Sequence, residues 1–136
     1  MNDGQCGNGN VLVVEDDSSL NQLVGAYVEL AGFDYRSALD GQSALRSANE
    51  QRPLLVILDL MLPDMDGFEV CRQLKSKPQT ASVPVLMLTA MTQDESRRKG
   101  LECGAAAYMT KPFDPDELMN AIRRISNGSS PNGSSQ

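Results

Sequence analysis

Two runs that are apolar at every position, residues 11–14 and 54–58, most constrain how this chain can fold. Strands of this kind are typical of parallel sheets whose two faces are both covered by helices. Three further short strands are predicted at residues 34–37, 85–88 and 107–110, and helical patterns alternate with all five. The sequence therefore predicts an α/β fold, a doubly wound (βα)5 three-layer sandwich around a five-stranded parallel sheet. The polar residues of 34–37 favour an edge position for that strand.

Helix starts and buried faces are indicated by capping patterns and by apolar spacing. One predicted buried face consists of Leu20, Leu23, Val24, Tyr27 and Val28. A second consists of Leu118, Ile122 and Ile125. Asp114 followed by Pro115 is typical of a helix start, and so is the capping box that begins at Thr92. The helix after Thr92 is polar on nearly every side, so we expect it to be the most loosely packed.

The composition changes at both ends of the chain. Residues 1–9 and 127–136 are rich in glycine, serine and asparagine, and we expect both segments to be flexible. One domain over residues 10–126 is predicted between them. The C-terminal segment is similar to a truncated interdomain linker, although a native disordered terminus would have the same composition.

Charge and residue usage exclude several classes of function. With 12 Lys and Arg against 18 Asp and Glu, the net charge is −6, which argues against direct binding of nucleic acid. The absence of histidine excludes Ser-His-Asp triads and histidine metal sites. No apolar run approaches the roughly 20 residues of a membrane helix. Together with three widely spaced cysteines (Cys6, Cys71 and Cys103), this predicts a soluble, reduced, cytoplasmic protein without membrane association.

Functional side chains follow four of the five predicted strands. Glu15 and Asp16 follow the first strand, Asp59 the third, Thr89 the fourth and Lys111 the fifth. Because the carboxyl ends of parallel strands lie along one edge of a sheet, where doubly wound folds bind ligands, we expect these groups to converge.

The chemistry of this set favours phosphoryl transfer. Crowded carboxylates recruit a cation, and a ligand set made only of oxygen favours Mg²⁺. A carboxylate beside Mg²⁺ can act as a nucleophile toward phosphorus. Lys111 would then neutralise phosphoryl oxygens, while the Thr89 hydroxyl would donate a hydrogen bond to one of them.

Taken singly, some of these residues have simpler interpretations. Asp17 and Ser18 are best explained as helix caps. Thr89 alone could be a turn residue, and Lys111 alone could be a surface charge. Asp59 is different, because a carboxylate at the end of a fully apolar strand is costly to bury without a purpose.

Four segments give the chain a family resemblance. They are VLVVEDD, LDLMLPDMDGFEV, LTA and GAAAYMTKPF, which occur in this order. Over residues 10–126 the chain resembles the receiver domain of bacterial two-component response regulators. The resemblance implies the flavodoxin-like receiver topology, with strand order 2-1-3-4-5.

The resemblance also implies a role for each site residue. Asp59 would be the phosphoacceptor for the phosphohistidine of a partner kinase. Asp16, Asp59 and the backbone carbonyl of Met61 would bind Mg²⁺ directly, and Glu15 would bind it through water. No organic cofactor is implied.

Three further residues belong to the implied switch. Thr89 would be the switch hydroxyl and Lys111 would bind the phosphoryl group, before a cis bond to Pro112. Tyr108 would be the aromatic residue that changes rotamer with Thr89. It is equally well explained as a half-buried aromatic residue of an edge strand.

The implied partner upstream is a sensor histidine kinase or a phosphotransfer protein. Downstream, an output domain beyond the C-terminal segment, another effector or none would fit the sequence. Related receivers dimerise through acids in a Gly-Ala-Asp-Asp-Tyr segment, where this chain has Ala106 and Ala107. The surface that remains is rich in cations, namely Arg97, Arg98, Lys99, Arg123 and Arg124. Unless Glu95, Glu102 or Glu117 compensates, we expect a monomer or a weak dimer.

Two other classes of function are less favoured. A pseudo-receiver would bind partners without phosphorylation, yet every acceptor, metal, hydroxyl and lysine position is filled. An enzyme that acts on small phosphorylated molecules would need a second acid, and the residue two positions after Asp59 is Met61. We therefore expect a switch that catalyses only its own phosphorylation and slow dephosphorylation.

Overall fold

The computed structural model describes residues 9–89 and 104–126, and within these residues it contains five parallel strands and four helices. The strands are β1 (Asn10–Val14), β2 (Asp34–Ala38), β3 (Leu55–Leu58), β4 (Val85–Thr89) and β5 (Ala107–Thr110). The helices within these residues are α1 (Ser18–Leu30), α2 (Gly41–Glu50), α3 (Gly67–Ser76) and α4 (Pro115–Ser126). The strand order is β2-β1-β3-β4-β5, so the predicted fold is confirmed, with β2 at an edge. The predicted helix after Thr92 lies outside the described residues.

Alternation along the central strands builds two apolar layers. In β1, Val11 and Val13 pack with α1 and α4, whereas Leu12 and Val14 pack with α2 and α3. All four side chains are fully buried, as the apolar run predicted. The sheet is therefore covered on both faces, and only its ends are left for polar chemistry.

Some predicted boundaries differ from the structure by one residue. β1 begins at Asn10 and β2 ends at Ala38, because these residues pair with Asp34 and Val14 in the parallel ladder. Leu54 lies outside β3, and Thr89 belongs to β4.

The predicted buried face of α1 is wrong at Leu23, which is 46% exposed. The buried residues of this helix are Asn21, Val24, Gly25 and Val28. With 3.6 residues per turn, a residue two positions after Asn21 lies on the opposite side of the helix. The buried stripe is thus centred on a polar residue that the apolar pattern could not include.

Two helix starts within the described residues agree with the predicted caps at Asp17 and Asp114. Asp17 caps α1 by accepting hydrogen bonds from the backbone of Ser19 and Leu20. α4 begins at Pro115, and the Asp114 carboxylate accepts from the Asp116 backbone at 2.9 Å. None of the helices within the described residues combines the length and the apolar character needed to cross a lipid bilayer.

Candidate functional site

Three carboxylates meet where β1 and β3 end. The two strands are neighbours, with Val14 paired to Leu58, and the Asp59 backbone donates to the Val14 carbonyl at 3.1 Å. This register places Asp59 beside the residues that follow β1. One carboxylate oxygen from each of Glu15, Asp16 and Asp59 lies within 4.8 Å of the others.

Burial differs among the three acids. Glu15 is 5% exposed and Asp59 is 8% exposed, whereas Asp16 is exposed to solvent. Glu15 Oε2 accepts a hydrogen bond from the Asp17 backbone N–H at 3.1 Å. The turn after β1 thus directs one acid inward and leaves Asp16 open to an incoming ligand.

Lys111, which directly follows the edge strand β5, also contacts these acids. Its Nζ lies 2.9 Å from Glu15 Oε1 and 3.5 Å from Asp59 Oδ2. Burial disfavours the charged ammonium, but the hydrogen bond to Glu15 and the negative charges of Asp59 and Glu15 outweigh it and raise the pKa of Lys111 above 10.5. Lys111 is therefore a cation at neutral pH, and its peptide bond to Pro112 is cis.

The loop between β3 and α3 carries Met61, whose side chain is 68% exposed. The Met61 backbone forms an isolated bridge with Asp66 and donates to Asp59 Oδ1 at a long 3.5 Å. Asp66 in turn caps α3 through the Glu69 backbone at 2.9 Å. The Met61 segment is thus attached both to Asp59 and to the start of α3.

Two further residues that shape the site were not assigned roles from the sequence. Gly67 donates its backbone N–H to the Leu60 carbonyl at 2.8 Å, and a side chain at this position would collide with the Asp59 backbone. Asn21 is 1% exposed and donates to the Glu15 carbonyl. The Asp-Gly pair at a helix start was a usable signal for Gly67, whereas a single Asn among apolar residues gave none.

Thr89 and Tyr108 remain predictions. Thr89 is the last residue of β4 and pairs with Thr110, while its side chain lies outside what the structure describes. Tyr108 is half-buried in β5 and packs against the apolar layer under α2 and α3. Both the switch and the edge-strand interpretations of Tyr108 are compatible with this position.

The donor set fits a hard divalent cation. The three carboxylates carry three formal negative charges and Lys111 carries one positive charge, so two negative charges remain unbalanced. All the side-chain donors are oxygens, and Mg²⁺ prefers carboxylates together with water and phosphate oxygens. Exposure of Asp16 leaves room for these additional ligands.

Known proteins share this sequence pattern and fold. The family model described as the response regulator receiver domain matches residues 11–123. The DNA-binding dual master transcriptional regulator RpaA of Synechocystis is 42% identical over 115 residues, covering 85% of this chain and 48% of RpaA. The phosphate regulon transcriptional regulatory protein PhoB of Escherichia coli is 41% identical over 121 residues, covering 89% and 53%. The chain therefore spans about half the length of these curated relatives.

Solved structures with a similar fold include two response regulator proteins. The receiver domain of the Francisella response regulator 1452 superposes with a TM-score of 0.82 at 32% identity, covering 88% of this chain and 98% of that one. The chemotaxis protein CheY4 of Vibrio cholerae superposes with a TM-score of 0.80 at 34% identity, covering 85% and 97%.

Proposed function

This chain belongs to the response regulator receiver domain family of two-component signalling, and we propose that it is a phosphorylation-gated switch whose phosphoacceptor is Asp59. The observation that carries the proposal is the arrangement around that residue. Asp59 is buried, and one of its carboxylate oxygens lies within 4.8 Å of oxygens of two other carboxylates. Its Oδ2 lies 3.5 Å from the Lys111 ammonium. Burial of a charged carboxylate is unfavourable for folding, so its presence here is best explained by a function.

The reaction that we propose is attack by an Asp59 carboxylate oxygen on the phosphorus of a phosphohistidine. A new O–P bond forms as the P–N bond breaks, and the electron pair of that bond leaves with the histidine nitrogen. The phosphoryl oxygens carry negative charge, and Lys111 is the cation nearest to Asp59 within the described residues. We expect Lys111 to move from its contact with Glu15 toward these oxygens.

Mg²⁺ would be held by Glu15, Asp16, Asp59 and the Met61 backbone carbonyl. When bound, the ion supplies positive charge that offsets the phosphoryl oxygens and the crowded carboxylates. Asp16, being exposed, is the acid most open to the solvent from which the ion arrives. Glu15 is already committed to Lys111 at 2.9 Å, which supports its expected indirect role.

The partners that we propose are a sensor histidine kinase or a phosphotransfer protein as donor, with an output domain or a separate protein as receiver of the signal. RpaA and PhoB are named as transcriptional regulators, and this chain matches about half of each. Thr89, β5 and α4 would carry the signal from Asp59 to that output. We propose no turnover of small-molecule substrates.

Intact mass after incubation with acetyl phosphate and Mg²⁺ tests this function. We expect the mass of one phosphoryl group to be added to the native chain and none to Asp59→Asn, because an amide is not a nucleophile toward phosphorus. Asp34→Asn is the matched control, since Asp34 is an exposed acid at the opposite end of the sheet, and it should be labelled like the native chain.

Three outcomes would contradict the proposal. Labelling of Asp59→Asn at the native level would refute the acceptor assignment. Absence of labelling in the native chain would favour a pseudo-receiver that acts without phosphorylation. Consumption of acetyl phosphate without a labelled protein would favour an enzyme that acts on small molecules.

A further inference from the structure

Asn21 is a buried polar residue in the middle of the apolar face of α1. It is 1% exposed and lies in the same buried stripe as Val24 and Val28. An amide that is removed from water is destabilising unless its donors and acceptor are all satisfied. The partners of Asn21 therefore indicate what the residue is for.

The amide nitrogen of Asn21 faces three backbone carbonyls at the edge of the sheet that carries the acids. Asn21 Nδ2 lies 3.0 Å from the carbonyl oxygen of Glu15, 3.2 Å from that of Val13 and 3.2 Å from that of Ala38. An amide has two N–H donors, so one of these three hydrogen bonds is shared. The side chain thus ties the ends of β1 and β2 to the turn that follows β1.

Tyr35 fixes the orientation of this amide. Its hydroxyl donates to Asn21 Oδ1, which leaves the NH₂ group facing the three carbonyls. The Tyr35 ring packs directly over Gly25 in α1, where any side chain would collide with it. Burial raises the pKa of Tyr35 above its ordinary value of 10, against a hydrogen bond with Ser37 that lowers it, so the hydroxyl keeps its proton at neutral pH.

Both peptide groups of Glu15 are held by this arrangement. The Glu15 N–H donates to the Ala38 carbonyl at 3.1 Å, and the Glu15 carbonyl accepts from Asn21. That second peptide group is shared with Asp16. The backbone that carries both acids is consequently held by α1 and by β2. Asn21 can therefore position the two carboxylates without contacting either of them.

We propose that Asn21, oriented by Tyr35, is the positioning residue that sets the Glu15 and Asp16 carboxylates for Mg²⁺. This inference rests on the proposed function. It adds two residues that hold the site in place, Asn21 in α1 and Tyr35 in β2. Removal of hydrogen bonds that hold metal ligands in place typically changes metal affinity by about 10–100-fold.

The test measures the Mg²⁺ concentration that gives half of the maximal rise in melting temperature. Asn21→Asp keeps the size of the side chain but removes the NH₂ donors, and Tyr35→Phe keeps Asn21 while removing the group that orients it. We expect Asn21→Asp to raise the half-maximal Mg²⁺ concentration by about tenfold or more, and Tyr35→Phe to raise it less.

Thr80→Val is the matched control for loss of stability alone. Thr80 is also 1% exposed, and its hydroxyl donates to the Leu74 carbonyl at 2.7 Å in the segment before β4, remote from the acids. We expect this variant to melt at a lower temperature with the native Mg²⁺ midpoint. If Asn21→Asp does not fold, Tyr35→Phe decides the question.

The positioning role would be refuted if Asn21→Asp and Tyr35→Phe had the same half-maximal Mg²⁺ concentration as the native chain. It would also be refuted if Thr80→Val raised that concentration as much as they do. In either case Asn21 would be purely structural. The proposed function is judged separately, because it depends on whether the native chain binds Mg²⁺ and is labelled at all. A native chain that is labelled, together with variants that bind Mg²⁺ normally, would overturn only this inference.

Discussion

Gly67, the first residue of α3, lies directly against the backbone of Asp59. A Cβ atom at this position would be 2.5 Å from the Asp59 carbonyl oxygen and 2.9 Å from the Leu60 Cα. Both neighbours are backbone atoms, so neither can be displaced without moving the strand end that carries the acid. The packing of α3 therefore helps to determine where Asp59 lies.

We predict that Gly67→Ala slows phosphorylation of Asp59 and destabilises the fold by about 1–3 kcal/mol, the usual range for overpacking. Chemical denaturation and the rate of labelling by acetyl phosphate measure the two effects. Gly41→Ala is the control, because its added methyl would meet the flexible side chain of Met65 at 2.5 Å. Equal labelling rates in the two variants would contradict a specific effect on Asp59.

Mg²⁺ is expected to stabilise the folded chain, because it relieves repulsion among Glu15, Asp16 and Asp59. At 100 times the dissociation constant the gain would be about 2.7 kcal/mol, and the melting temperature would rise accordingly. Asp16→Asn should lose most of this rise, whereas Asp34→Asn should keep it. An unchanged melting temperature of the native chain at high Mg²⁺ would count against the site.

Asp64 connects the loop after β3 to the start of α2. Its carboxylate accepts hydrogen bonds from the backbone N–H groups of Gly41 at 2.8 Å and Gln42 at 2.9 Å. These bonds lower the pKa of Asp64 below its ordinary value of 3.8. A lowered pKa in the folded state means that this stabilisation is complete well above pH 3.8 and is lost as the pH falls below it.

We therefore predict that Asp64→Asn lowers the free energy of unfolding at neutral pH and makes it less dependent on pH in the acid range. Urea unfolding from about pH 6 down to about pH 3 measures the difference between the two proteins. Asp34→Asn serves as the control for removal of an exposed acid. Parallel curves for the native chain and Asp64→Asn would show that these hydrogen bonds do not contribute as described.

Self-association after activation is expected to be weak. Ala106, Arg123 and Arg124 are all exposed, so this surface presents two cations and has no acid at position 106. A two-fold interface requires each copy to supply both members of every ion pair. Light scattering of the beryllofluoride-treated domain at micromolar concentration should therefore show a monomer. A dimer that is lost when Arg123 is changed to Glu would contradict this prediction.

The sequence alone determined the layered fold and the edge at which the acids lie. Fully apolar runs that alternate with helical patterns are typical of strands covered on both faces, and parallel strands place Asp59 and Lys111 at the same edge of the sheet. The strand order itself was implied by the family resemblance. Caps such as Asp17 were also predictable, since they depend on neighbours within three residues.

Only the tertiary structure decided which groups touch within that edge. Lys111 lies closer to Glu15 than to Asp59, at 2.9 Å against 3.5 Å, although β3 is nearer to β5 in the sheet than β1 is. The apolar pattern of α1 placed Leu23 on the buried face, whereas burial of Asn21 follows from carbonyls that belong to β1 and β2. Local periodicity carries no information about such partners, since they are supplied by segments distant in the chain.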